Sequence, residues 1–262
     1  MEALILAAGE GVRLRPLTNS LPKTMVPFNG RPILLRQLDV LRAKGISDVS
    51  VVGGYQAEAL PGDKVRVFEN MHYASTNMVF SMFQADTVFA AGQDILVVYG
   101  DILFGEDCLQ AMLNTPGNIV VGVNMEWRKL WESRFDNALS DAETMVLDGD
   151  QITELGKKAK TMEEIQGQFT GLIKFSAKAA EEIWERWGQS AFNDPENSPV
   201  SKLYMTDFIQ NLIDNGKRVT AAFIYGDWLE VDSVEDLELY EKLLQKAALS
   251  DISSLDAPYR TE

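Results

Sequence analysis

The first candidate for chemistry is the segment that directly follows the first apolar run, ALILAA. Gly9, Glu10 and Gly11 come next, followed by Arg13 and, after a proline, by Lys23. Glycines let backbone N–H groups approach an anion closely, and arginine and lysine add positive charge. The segment therefore predicts a phosphate-binding turn. It is neither a Walker A loop nor the dinucleotide motif, because Gly-Lys-Ser/Thr is absent and the third glycine of G-x-G-x-x-G is missing.

Carboxylates at the ends of apolar runs form a second candidate site. Asp101 ends VVYGD, while Glu230 and Asp232 alternate with Val231 in WLEVD and so share one face of a strand. The carboxyl edge of an open α/β sheet is where ligands bind, and Mg²⁺ prefers oxygen ligands. The pattern predicts a magnesium site on Asp101, Asp232 and Glu230. For Asp101 alone, an ordinary aspartate in a turn is the alternative.

Composition excludes several classes of function. The 262 residues include 24 Lys and Arg against 39 Asp and Glu, and the net charge of -15 repels nucleic acid and anionic membranes. Cys108 is the single cysteine, which excludes an intrachain disulfide, and His72 is the single histidine, which excludes a two-histidine zinc site. With no apolar run of about 18 residues, the expected location is the cytoplasm.

The order of apolar runs indicates the fold that must position these side chains. Short runs such as ALILAA and DILVVYGD alternate with amphipathic ones such as PILLRQLDVLRAKG, in which Ile33, Leu34, Leu38 and Leu41 share one helical face. This alternation predicts an α/β fold with a mainly parallel sheet and helices on both faces. After residue 117, closer-spaced strands and the Asp148-Gly149 turn predict a mixed or antiparallel extension of that sheet.

The stretch GEGVRLRPLTNSLPKTMVPFNGRPIL resembles the signature of the nucleoside-diphosphate-sugar pyrophosphorylase superfamily of nucleotidylyltransferases. ENMHYASTNMVFSMFQA, WRKLWESRF, TELGKKA and GDWLEVDSVEDLELYEKL are more similar to the small-acceptor cytidylyltransferases, which act on phosphocholine and phosphonates. The resemblance implies a Rossmann-like mixed sheet and Mg²⁺-dependent transfer of CMP from CTP to a small phosphate or phosphonate, with release of pyrophosphate. The length of 262 residues favours one domain, placed at residues 1–249 with an acceptor-binding extension at about 117–175, and the polar composition from Ser250 onward predicts a loose tail at 250–262.

The resemblance assigns roles to individual residues as well. Arg13 and Lys23 are expected to be catalytic, with Arg13 on the β- and γ-phosphates and Lys23 at the α-phosphate. Asn77 and Ser81 are expected beside the base, although a core helix capped by Thr76 explains their segment nearly as well. The expected nucleotide-binding residues are Leu6, Ala8, Gly9, Glu10, Gly11, Asn77 and Ser81.

Expected acceptor-binding residues come from two further segments, and they are Arg128, Trp131, Arg134, Lys157 and Lys158. In TELGKKA, Gly156 and a doubled lysine replace the E-K-P order of the sugar-nucleotide enzymes, so either lysine could face the site. The tryptophans could form a cage for a quaternary ammonium, the arginines could hold a carboxylate, or the tryptophans could be core residues. The basic neighbours disfavour choline, so we expect an acceptor with a carboxylate or another polar group.

Two other functions remain open at the level of sequence. A sugar-1-phosphate nucleotidylyltransferase that uses UTP or dTTP would carry the same N-terminal motif. A regulatory module could bind nucleotide without catalysis, although the presence of Arg13, Lys23, Asp101 and Asp232 argues against it. The identity of the acceptor and the oligomeric state, for which a homodimer is one option, are left open.

Overall fold

The structure is a computed structural model that describes residues 1–194 and 197–245. The strands are β1 (Glu2–Ala7), β2 (Pro27–Phe28), β3 (Arg31–Pro32), β4 (Val49–Gly53), β5 (Arg66–Glu69), β6 (Ile95–Tyr99), β7 (Ile102–Phe104), β8 (Ile119–Asn124), β9 (Glu143–Asp148), β10 (Gln151–Lys158), β11 (Gln168–Phe175), β12 (Val219–Ile224) and β13 (Trp228–Glu230). The helices are α1 (Ile33–Ala43), α2 (Met78–Met82), α3 (Asp86–Ala90), α4 (Glu106–Asn114), α5 (Trp127–Arg134), α6 (Ala177–Ile183), α7 (Gln189–Asn193), α8 (Met205–Asp214) and α9 (Val234–Gln245).

A nine-stranded sheet forms the centre, with its strands in the order β5-β4-β1-β6-β11-β8-β12-β10-β9. Seven of the nine strands run in one direction, and β10 and β11 run in the other. All six residues of β1 are buried, as expected for a parallel strand that is covered on both faces. The predicted mixed, mainly parallel sheet is confirmed.

Helices cover both faces of this sheet, and β1 shows the two sides most simply. Leu4 and Leu6 pack into one apolar cluster with α2, α3, α6 and α8, whereas Ala3 and Ile5 pack into another with α1 and α4. Alternate residues of a strand point to opposite faces, so both clusters share the same strands. The prediction of helices on both faces is confirmed.

The helix predicted over the segment PILLRQLDVLRAKG is α1, and its four predicted core residues are fully buried. Gly45 follows the helix with a φ of +80°, and the N–H of Ile46 returns to the carbonyl of Leu41 at 2.9 Å. Glycine adopts this left-handed backbone conformation at the C-terminus of a helix without strain.

The segment at residues 76–91 forms two short helices, α2 and α3, instead of one. The predicted cap at Thr76 is wrong: Thr76 is extended, its hydroxyl donates to the carbonyl of His72 at 2.9 Å, and Asn77 is the residue before α2. The Thr76 hydroxyl accepts a hydrogen bond from Asn70 Nδ2 at 3.0 Å and from no helix N–H among the described residues, since threonine side chains can bond to other polar groups nearby.

Beyond residue 117, the chain extends the same sheet. β9 and β10 form the expected hairpin, in which Asp148 pairs with Gln151 and Gly149 has a φ of +61°. β12 pairs in parallel with β8, so the extension is mixed. The division into one domain over 1–249 stays a prediction, and the tail at 250–262 lies outside the described residues.

Helices long and apolar enough to cross a lipid bilayer are absent from the described part of the chain.

Candidate active site

Three carboxylates meet beside the carboxyl end of β6. Asp101 follows β6, Glu230 ends β13, and Asp232 comes two residues later. The N–H of Val231 donates to the carbonyl of Asp101 at 2.9 Å, which joins the two segments. One carboxylate oxygen from each of the three residues lies within 4.8 Å of the others. The structure thus brings together the three residues that the sequence predicts as metal ligands, and we call them the carboxylate trio.

Lys23 lies among these carboxylates. Its Nζ is 2.7 Å from Asp101 Oδ2 and 2.5 Å from Asp232 Oδ1, and the Arg13 guanidinium is 3.1 Å from the same Asp232 oxygen. Burial alone would lower the pKa of Lys23, but the charges of Asp101 and Asp232 outweigh burial and raise it. Lys23 therefore carries a positive charge at the position where a phosphate would approach the carboxylates.

Arg134 lies behind the trio, and only 2% of its side chain is exposed. Its guanidinium is 3.1 Å from Glu230 Oε2, 3.6 Å from Asp232 Oδ2 and 2.9 Å from Asp236 Oδ1. The acceptor-binding role of Arg134 stays a prediction. The contacts show instead that the charge of Arg134 is balanced by three carboxylates, which suits a residue that orients Glu230 and Asp232.

Asp236 was not predicted to belong to the site. Its Oδ2 accepts hydrogen bonds from the N–H groups of Asp232 and Ser233 at 2.9 and 3.0 Å, and Ser233 Oγ accepts from the N–H of Asp236 at 3.1 Å. This reciprocal pair at the start of α9 is a capping box. The Ser-x-x-Asp spacing before an amphipathic run was the signal in the sequence, and the box holds Asp232 in place.

The trio fits a divalent cation. Asp101 Oδ1 is buried and has no hydrogen-bond partner among the described residues. Burial, and then the charges of Asp232 and Asp101, raise the pKa of Glu230 to about 8. Three crowded oxygen donors that repel one another are the set that a hard cation such as Mg²⁺ prefers. The role of the trio as metal ligands stays a prediction.

The first cavity lies beside β1, between the glycine segment and α2, and it reaches Lys23 and Asp101. The predicted nucleotide-binding residues that line it are Leu6, Ala8, Gly9, Asn77 and Ser81. Among the described residues, leaving out Gly9 and its two chain neighbours, no heavy atom would lie within 4 Å of a Cβ at Gly9, so a ligand can approach the backbone there. Glu10 and Gly11 do not line it, and Glu10 pairs with Arg15 at 3.1 Å. The sequence did not predict that Thr24, Tyr73 and Tyr99 would line this cavity.

Asn77 and Ser81 are positioned by a hydrogen-bond network. Asn77 Nδ2 donates to the carbonyl of Lys202 at 2.7 Å, and Ser81 Oγ accepts from Nδ2 of the fully buried Asn70 at 2.9 Å. Asn70 was missed, and its only signal was an asparagine at the end of an apolar run. These contacts orient polar groups at the wall of the cavity, where a base could be recognised.

Gly11 shapes the turn that brings Lys23 to the site. Its φ is +59°, and a Cβ there would lie 3.0 Å from the Lys23 Cβ. We expect Gly11→Ala to lower the free energy of unfolding by about 1–2 kcal/mol, because a side chain is strained in this conformation, and to raise the KM for nucleotide by displacing Lys23. Urea unfolding and initial rates measure the two effects. Gly62→Ala is the matched control, since no atom lies within 4 Å of its Cβ position. Equal stability of the two variants would contradict the prediction.

A second cavity opens on the other side of the trio, between α5, β9 and α8. Its walls include Glu230 and Asp232, two more carboxylates at Asp141 and Glu143, and the aromatic rings of Tyr99, Trp131, Phe169 and Tyr204. The first and second cavities share Met78 and Tyr99. Two ligands bound in them would therefore meet at the trio.

The predicted acceptor-binding residues are only partly at this cavity. Trp131 lines it, but its ring is buried and stacked on Trp228 with the centroids 6.2 Å apart, as the core alternative anticipates. Arg128 is paired with Glu132 on the exposed side of α5. Lys157 is paired with Glu154 and Lys158 is exposed, and neither lines the cavity. The positive charges that the sequence suggested for an acceptor therefore do not face the second cavity.

Comparisons with known proteins agree with this architecture. Residues 3–152 match the MobA-like NTP transferase domain. The chain is 38% identical to the CTP:phosphoglutamine cytidylyltransferase of Campylobacter jejuni over 91% of this chain and 98% of that protein. A second relative, choline-phosphate cytidylyltransferase of Streptococcus pneumoniae, is 40% identical over 32% of this chain and 38% of that protein.

Two solved structures share the fold. The inositol-1-phosphate CTP transferase of T. maritima superposes with a TM-score of 0.72 at 20% identity and covers 99% of this chain and 98% of its own. The CTP:phosphocholine cytidylyltransferase of Streptococcus pneumoniae has a TM-score of 0.68 at 23% identity, with 93% and 98% covered. At these identities the likeness concerns the fold. The domain match and the Campylobacter relative, taken together with the site, show that this chain belongs to the MobA-like NTP transferase family of nucleotidylyltransferases.

Proposed function

We propose that the chain is a cytidylyltransferase that transfers CMP from CTP to a small phosphorylated acceptor and releases pyrophosphate. The observation that carries this proposal is the meeting of two cavities at the carboxylate trio and Lys23. One cavity adjoins the glycine segment, which suits a nucleoside triphosphate, and the other leaves space for a small acceptor. The names of the two cytidylyltransferase relatives support the choice of CTP.

The reaction is a displacement at phosphorus. A phosphate oxygen of the acceptor bonds to the α-phosphorus of CTP, the bond from that phosphorus to the bridging oxygen breaks, and pyrophosphate leaves with the electron pair. The nucleophile is already an anion, so the protein contributes positioning and charge neutralisation and needs no general base. Lys23, held by Asp101 and Asp232, is placed to meet the charge that develops at the α-phosphate, and Arg13 lies beside it.

Members of this family generally use a divalent metal, and we propose Mg²⁺ for this chain. Asp101, Glu230 and Asp232 would hold the ion, which would neutralise charge on the reacting phosphates. We also propose that the enzyme works in the cytoplasm, which agrees with the single cysteine, Cys108.

The acceptor that we propose to test first is a phosphorylated amino-acid amide, by analogy with the Campylobacter relative. Phosphocholine and aminoethylphosphonate are the alternatives, and each has a phosphorus oxyanion as nucleophile. All three are small enough for one cavity to enclose the part of the molecule beyond the phosphorus.

We expect the kcat/KM for CTP to exceed that for UTP by about tenfold or more. The reason is that polar groups at the cavity wall, such as Ser81, can distinguish the exocyclic groups of the base. Pyrophosphate release is measured for CTP, UTP, dTTP, ATP and GTP with each of the three acceptors and with glucose-1-phosphate. CTP without acceptor is the control for hydrolysis. A preference for UTP or dTTP with glucose-1-phosphate would identify a sugar-nucleotide enzyme. Binding of CTP with no turnover of any acceptor would support a regulatory module.

A further inference from the structure

The charge of the second cavity differs from what an anionic acceptor needs. Four carboxylates line it, at Asp141, Glu143, Glu230 and Asp232, and its walls contain no Lys, Arg or His among the described residues. Glu230 and Asp232 belong to the trio and are balanced by Arg134 and Lys23. Asp141 and Glu143 have no salt bridge in the described parts of the chain. Two negative charges of the wall are therefore left without a cation.

Neighbouring residues position both Asp141 and Glu143. Asp141 Oδ2 accepts a hydrogen bond from Trp131 Nε1 at 3.1 Å, and Trp131 is itself fixed by its stacking on Trp228. The N–H of Glu143 donates to Gln168 Oε1 at 3.2 Å, and Gln168 Nε2 donates to the carbonyl of Glu143 at 2.6 Å. Burial, and then the charges of Asp207 and Asp141, raise the pKa of Glu143. A positive charge on a ligand would be stabilised here without rearrangement of the wall.

The aromatic rings of the wall indicate which kind of cation fits. A quaternary ammonium needs free ring faces, but Trp131 is stacked on Trp228, and the Arg134 guanidinium lies 5.5 Å from its ring centroid. Tyr99 and Phe169 pack edge to face against each other at 5.5 Å. A primary ammonium has three N–H donors and can use carboxylate oxygens directly. Tyr204 is exposed and offers a ring face, but a single ring does not make the aromatic cage that holds a quaternary ammonium. The wall therefore favours a primary ammonium over a quaternary one.

We propose that the acceptor carries a protonated primary amine beyond its phosphorus, and that Asp141 and Glu143 bind this amine in the second cavity. The inference rests on the proposed function and deepens it, because it names the class of acceptor: an aminoalkyl or amino-acid phosphate or phosphonate. It replaces the expectation of an acceptor held by arginines through a carboxylate. Asp141 and Glu143 are then determinants of specificity.

The test compares acceptors that share a phosphate and differ in charge. The kcat/KM with CTP is measured for phosphoethanolamine, phosphocholine and ethyl phosphate, which carry a primary ammonium, a quaternary ammonium and no cation. We expect phosphoethanolamine to exceed ethyl phosphate by about 10- to 100-fold, the usual effect of hydrogen bonds to a charged group, and to exceed phosphocholine as well. Equal values for phosphoethanolamine and ethyl phosphate, or a preference for phosphocholine, would overturn the proposal.

Variants show whether the two carboxylates cause the preference. Glu143→Gln and Asp141→Asn should lower the ratio of phosphoethanolamine to ethyl phosphate by about tenfold, and the Asp141→Asn variant keeps a side-chain oxygen that can accept from Trp131. Asp150→Asn is the control, because it changes the net charge equally at an exposed turn where Asp150 pairs with Arg218. If both wall variants still turn over CTP and their ratio of phosphoethanolamine to ethyl phosphate is unchanged, the assignment of Asp141 and Glu143 to amine binding is refuted. If the folded protein releases no pyrophosphate with any acceptor, both the proposed function and this inference are refuted.

Discussion

Replacement of Asp101 by Asn is expected to lower CTP turnover by about 100-fold or more while the protein stays folded. The change removes one negative charge and leaves the shape of the side chain nearly unchanged. Asp101 Oδ1 is buried without a hydrogen-bond partner in the described parts of the chain, and Oδ2 holds Lys23 at 2.7 Å. The substitution would therefore remove a proposed cation ligand and also loosen Lys23, the proposed catalytic lysine. Asp232 contacts both Lys23 and Arg13, so Asp232→Asn should have a similar effect.

Pyrophosphate release measured against Mg²⁺ concentration, and again after EDTA, tests this expectation. The wild type should lose activity in EDTA and regain it with Mg²⁺, and both variants should need more Mg²⁺ for their residual rates. Thermal unfolding checks that each variant is folded, and Asp150→Asn serves as a control for the loss of one negative charge. Near-normal turnover by the Asp232 variant would refute the assignment of the metal ligands.

Replacement of Arg134 by Ala is expected to lower the free energy of unfolding by about 3–5 kcal/mol, because it leaves the buried Asp236 and the partly buried Glu230 without their cation. The side chain of Arg134 is 2% exposed and contacts Glu230, Asp232 and Asp236. Its loss should also lower turnover, since two of these carboxylates belong to the trio. Urea unfolding gives the change in stability, and initial rates give kcat and the KM for acceptor.

Arg128→Ala is the matched control on the same helix, because Arg128 is exposed and pairs with Glu132 in an i,i+4 salt bridge. We expect it to change stability by less than about 0.5 kcal/mol. The sequence-based alternative, in which Arg134 binds the acceptor, gives a different result. A large rise in the KM for acceptor with normal stability of Arg134→Ala would favour that alternative and contradict the positioning role.

The central sheet was predictable because its signal is local. A buried parallel strand needs a short run of apolar residues, and a covering helix needs apolar residues three or four apart, so ALILAA and α1 could be identified by inspection. The break between α2 and α3 was not predictable in this way. There, the N–H of Gln84 bonds to the carbonyl of Ser81, three residues back, at 3.0 Å, and Ala85 leaves the helical conformation with a φ of −91° and a ψ of +56°. The spacing of apolar residues does not record this change.

The acceptor side shows the limit of reading charge from sequence. Five cations between residues 128 and 158 suggested a basic pocket, yet Arg128 and Lys157 pair with acidic neighbours on the surface and Arg134 is balanced by three carboxylates. A charged side chain faces solvent unless a partner is provided, because burial without a partner costs too much free energy. The partner of Arg134, Asp236, lies 102 positions away in the chain.

By itself, the sequence determined the kinds of groups that the site contains: a glycine segment after a buried strand, a lysine after a proline, and carboxylates at strand ends. Only the tertiary structure decided which of them meet. Lys23 contacts Asp101 and Asp232, which lie 78 and 209 positions away. Contacts at such separations depend on how the sheet orders its strands and how α9 packs, and that order minimises exposed apolar surface and unpaired buried charge over the whole chain.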